Sequence, residues 1–90
     1  MTNKRTLKRC IKLICEELLA ECVAASLYAD KSHRENGEAL LFTIIRLQNN
    51  FIARISHPEP GMSAQAYFRD LRDKFSAQTS EIIDQINNLH

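Results

Sequence analysis

Side chains able to hold metals, move protons or attack carbonyl carbons are few in this chain and poorly spaced for such work. His33, His57 and His90 lie far apart, no two of them four residues apart as a metal pair on one helix requires, and none follows a Glu in the Glu-x-x-His pattern of bundle di-metal centres. Glu17 and Glu21 are one helical turn apart, which two solvated carboxylates satisfy equally well. Cys10, Cys15 and Cys22 show no Cys-x-x-Cys spacing, and their odd number does not make a disulfide framework. None has a base close in sequence to generate a thiolate nucleophile. They read as small core residues. No Gly-rich phosphate loop occurs among the two glycines. The chain is therefore expected to be non-enzymatic, with no catalytic residue, metal site or cofactor.

The charged residues are more informative. Lys4, Arg5, Lys8, Arg9 and Lys12 all precede the first acidic residue, leaving seven basic against eleven acidic side chains in the remainder. Cations in the first turns of a helix oppose its dipole by a few tenths of a kcal/mol each, with no evident folding benefit. These five residues are a candidate anion-binding pole, which Arg54, Arg69 and Arg72 are placed to join. Asp70 and Asp73 interleave there, and Arg69 with Asp73 has the i, i+4 spacing of a surface ion pair. A helix-turn-helix is disfavoured, because no short helix after a tight turn offers polar side chains to bases.

Three amphipathic segments must position these groups. In the first, from beyond the possible caps Thr2 and Asn3 to about Ala29, Leu7, Ile11, Ile14, Leu18, Cys22 and Ala25 recur every three or four residues, flanked by Cys10 and Cys15. A break over residues 30–37 holds Ser32-His33-Arg34-Glu35, the spacing of a capping box, which predicts a helix start near His33; Asn36-Gly37 blurs that boundary. Leu40, Leu41, Ile44, Ile45, Leu47, Phe51, Ile52 and Ile55 then cover almost half a helix circumference, enough for two neighbours, with Phe42 on the polar side. Of Gln48, Asn49 and Asn50, only Gln48 falls in that stripe. The break His57-Pro58-Glu59-Pro60-Gly61 ends the second helix. Ser63 can cap a third, whose narrower stripe is Phe68, Leu71, Phe75, Thr79, Ile82, Ile86 and Leu89.

With one Val, two Gly, two Pro and 44% hydrophobic residues, the composition favours helix over sheet. The expected fold is all-α: residues 1–90 form one domain, an antiparallel up-down-up bundle of three long helices about 30 to 40 Å in length. A lone chain of this size buries only about 60 to 65% of its unfolded surface, so completion by a second copy is expected. The stretch after the basic start is broken by Glu16, Glu17 and Glu21. It suits neither a signal peptide nor a membrane span of about 20 apolar residues, and a reducing cytoplasm is the expected location.

Leu19, Val23 and Leu27 lie off the main stripe of the first helix, and an antiparallel pairing sets Phe42 in the same half of the molecule. Solvent alone does not select such residues, so these four are the candidate partner-binding patch, unless the end of the third helix covers them. The expected function is a small bundle acting through protein contacts, as a homodimer or with another protein. Binding of nucleic acid or another anionic partner through the basic pole is the alternative. Salt separates the two, because phosphate binding weakens steeply with added salt and an apolar contact barely changes.

Overall fold

In the computed structural model, which describes residues 4–89, α1 runs over Lys4–Leu27, α2 over Lys31–Ser56 and α3 over Ala64–Asn87. The helices form an all-α up-down-up bundle in which α1 and α2 make the most extensive pairing and α3 packs against both, somewhat more on α2. The long axis measures 48 Å, more than expected, because helices of about 36 to 39 Å are staggered and their connections project past the ends. Thr2, Asn3 and His90 fall outside the described residues.

α2 starts two residues earlier than the Ser32 box suggests. Asp30, in extended backbone at φ −72° and ψ 175°, is the N-cap, and its Oδ1 accepts from the His33 amide at 3.0 Å. The same oxygen takes the Ser32 hydroxyl at 2.8 Å and lies 2.7 Å from His33 Nδ1. Ser32 thus supports the cap instead of being it. The helix then continues through Gly37, which is buried where α1 and α2 cross. A Cβ there would collide with the Ser26 hydroxyl and come within 3.1 Å of Ser26 Cβ. The helix-weakening glycine is retained because the crossing leaves no room for a side chain. At the other connection Pro58 and Pro60 stop α2, Gly61 takes φ +95°, and Ser63 caps α3 by accepting from the Ala66 amide at 3.2 Å.

One continuous core joins Leu7, Ile11, Cys15, Leu18, Cys22 and Ala25 of α1, Leu40, Ile44, Leu47, Phe51 and Ile55 of α2, and Leu71, Phe75, Ile82, Ile86 and Leu89 from α3 and its end. Each fully buried Leu, Ile or Phe contributes about 1.5 to 3 kcal/mol. Phe51 meets Phe75 edge-on at 5.2 Å between ring centres. Three expectations about the stripes need correcting. Ile14, in the main α1 stripe, is 41% exposed; Cys10, unlike the buried Cys15 and Cys22, is exposed and is no core residue; and Ile45 lies outside on α2. In α1 and α2 the neighbours settle on a line slightly rotated from the centre of the apolar arc, so residues at one margin of that arc face water.

Candidate functional site

Val23, Leu27 and Phe42 are 46%, 71% and 65% exposed, whereas Leu19 is half-buried against the core. The end of α3 does not cover the first three: Leu89 is buried near Gly37 instead. Gly37 opposite Cys22 and Ser26 fixes the antiparallel register of α1 and α2. Each step forward on α2 then pairs with one step back on α1, which sets Leu41 level with Leu19, Val23 about one turn to one side of that level and Ile45 about one turn to the other.

The face these residues occupy follows from α2's other flank. Thr43, Arg46 and Asn50 border Gln78, Glu81 and Gln85 of α3, so that side of α2 belongs to α3. Leu41, Ile45 and Ile52 project to the opposite side, along the outer seam with α1. On α1, Leu19 and Val23 share a flank with Ser26, which touches α2. Leu19, Val23, Leu41 and Ile45 therefore make a strip along the outer α1/α2 seam, with Leu27 and Phe42 on its ridges. The α2 stripe includes Ile45, but its offset from the line through the buried Leu40, Ile44, Leu47, Phe51 and Ile55 is the signal that separates it.

At the other end of the rod, Lys4, Arg5, Arg9 and Lys12 are exposed and Lys8 is half-buried. Together with Leu13 and Glu16 they line a shallow open groove along α1 alone. The ion pairs formed among the described residues are His33 with Asp30 and Lys74 with Asp70, the latter at 3.0 Å, so none of the five has a carboxylate partner there. Asp70 takes Lys74, and no pairing of Arg69 with Asp73 is observed. Arg54 is used for packing: its guanidinium sits 4.9 Å from the Phe51 ring centre, and its carbonyl accepts the Tyr67 hydroxyl at 2.9 Å.

Chemistry-bearing side chains remain scattered. Cys15 and Cys22 are buried, and desolvation pushes both thiols above their ordinary range, with the Ser26 side chain opposing this in part at Cys22. Among the described residues no group of His, Cys, Asp or Glu is clustered to hold a metal ion, and no helix is long and apolar enough to cross a membrane. Gln48 is half-buried, and Asn49 and Asn50 are exposed. No known protein family matches the sequence, and no curated protein or solved structure is significantly similar to it.

Proposed function

We propose that this protein is a non-enzymatic helical bundle that works by protein contact, pairing with a second copy of itself through the outer α1/α2 face. The observation that carries this reading is the exposure of Val23, Leu27, Phe42 and Ile45 in a molecule whose core is already complete without them. Scattered exposed apolar residues are ordinary, but a strip along one helix seam, with further apolar groups on both ridges, leaves a contiguous surface in water that association removes. A second copy presents the same strip, as a two-fold contact requires. A reducing cytoplasm suits the three free cysteines, one of them exposed.

Light scattering over a concentration series tests this. The wild type should show a mass rising to that of a dimer, and Val23→Glu, which sets a charge in the strip, should give a folded monomer. A wild type that stays monomeric at all concentrations overturns the reading.

A second reading rests on the five cations of α1 that have no carboxylate partner among the described residues: a polyphosphate backbone such as that of nucleic acid could neutralise them. It predicts binding to DNA or RNA at low salt that disappears as salt is raised, and it fails if none is detected at low salt.

A further inference from the structure

We infer that the two copies pack antiparallel, with the two-fold axis crossing the rod and not running along it. This inference rests on the self-association proposed above. The total charge of +1 conceals a steep gradient that appears only when the sequence is laid onto the fold. Thr43 and Arg46 border Glu81 and Gln85, so a cut near the middle of the rod that passes before Ile44 of α2 passes after Ile82 of α3. The end built from the start of α1, the end of α2 and most of α3, residues 4–15 and 44–82, carries ten Lys and Arg against four Asp and Glu, a surplus of six positive charges. The other end, residues 16–43 and 83–89, carries two against seven, a surplus of five negative charges.

Two such rods meeting along the outer α1/α2 seam have two ways to align. A parallel pair sets the two basic ends side by side and the two acidic ends side by side, an arrangement penalised at both ends. An antiparallel pair lays each basic end along the other copy's acidic end, so one distribution both attracts the correct alignment and rejects the wrong one. The apolar strip permits this, because Leu19, Val23, Leu41 and Ile45 lie near the middle of the rod, slightly towards its acidic end. A two-fold axis through the strip leaves most of each rod overlapping the other. Lys8 and Lys12 lie on the same flank of α1 as Leu19 and Val23, so the cations nearest the strip border the contact. The gradient thus gives the basic residues a role in orientation, while the apolar strip supplies the contact.

The orientation is read from one label near the basic end. Met62, exposed in the α2/α3 connection, is replaced in a Met62→Cys, Cys10→Ser chain, in which Cys15 and Cys22 stay buried, and carries a spin label. Antiparallel packing places the two labels about 45 to 60 Å apart, since each lies some 15 to 20 helical residues from the axis at 1.5 Å per residue. Dimer affinity should also fall several-fold between 50 mM and 500 mM salt, as the opposed charges are screened. Labels closer than about 30 Å in a dimer overturn the orientation and leave the self-association standing. A dimer indifferent to salt overturns the charge pairing as its cause. A monomer at every concentration overturns the self-association, and this inference with it.

Discussion

The thiol of Cys22 lies 3.5 Å from the carbonyl oxygen of Gly37, fifteen residues away, and donates to it where α1 and α2 come closest. One turn further along α1, Ser26 occupies the space where a side chain at position 37 would be, its hydroxyl donating to the Cys22 carbonyl at 2.8 Å. These contacts make a glycine inside a helix a stabilising choice. In an exposed helix, Gly→Ala gains about 1 kcal/mol. Gly37→Ala should reverse that sign and lose about 1 to 3 kcal/mol through overpacking against Ser26. Ser26→Ala, by removing the hydroxyl, should recover part of the loss in the double variant. Thermal or urea unfolding of the two single variants and the double variant gives the coupling directly.

The three cysteines should differ sharply in reactivity. The thiolate is the attacking species, and burial raises the thiols of Cys15 and Cys22, so both are protonated as well as sterically shielded at neutral pH. A thiol-specific chromogenic reagent should modify one group per folded chain quickly, Cys10, and all three in denaturant. Cys10→Ser should abolish the fast phase without changing the unfolding midpoint by more than the scatter expected of a surface substitution.

Asp30 gives the bundle an acid-sensitive cap. The His33 amide, then the Ser32 hydroxyl and the His33 ring, all stabilise its charged form and lower the carboxyl to about 2. The folded value is depressed below the ordinary 3.8, so the contribution to stability is present above about pH 4. It is lost as pH falls from there through about 2. Thermal melts of wild type and Asp30→Asn across pH 2 to 6 should converge at the acid end. Asn keeps a capping oxygen without the titration, so the difference between the two curves isolates Asp30 from the other carboxylates. Asp30→Ala should melt below both at pH 6.

The helical periods made most of this architecture readable in advance, and the exceptions share a physical origin. The stripe of α3 is narrow, fits the single groove between the other two helices, and packs as its spacing indicates from Leu71 to Leu89. The start of α2 was displaced because Ser32-x-x-Glu35 and Asp30 offer competing caps, and because Gly37 resembles a breaker until the α1 backbone is seen beside it. Ile14, Cys15 and Ile45 sit at the margins of broad apolar arcs, where a small rotation exchanges core for solvent. Within the candidate patch, Leu27 and Phe42 were legible because they point almost directly away from their own stripes. The charge gradient was only half legible: the basic start of α1 stands out in the sequence, and the expected up-down-up path brings Arg54, Arg69 and Arg72 to it, but the acidic surplus of the opposite end is gathered from α1, the α2 cap, α2 and the end of α3.

Tyr67 ties the first turns of α3 to the last turns of α2, its hydroxyl donating at 2.9 Å to the carbonyl of Arg54, while its ring meets Phe68 edge-on at 5.4 Å. The prolines just beyond α2 and the open connection over 57–63 leave this end of the bundle with few other polar ties between the two helices. Tyr67→Phe preserves the ring and deletes the donor, so the expected cost is that of one part-buried hydrogen bond, about 0.5 to 1.5 kcal/mol. The loss should be local. Amide exchange should accelerate in the first turns of α3 and the last turn of α2, while the Gly37 crossing at the far end of the rod keeps its protection. A uniform acceleration along all three helices would mean that this contact holds the whole bundle and not only one end.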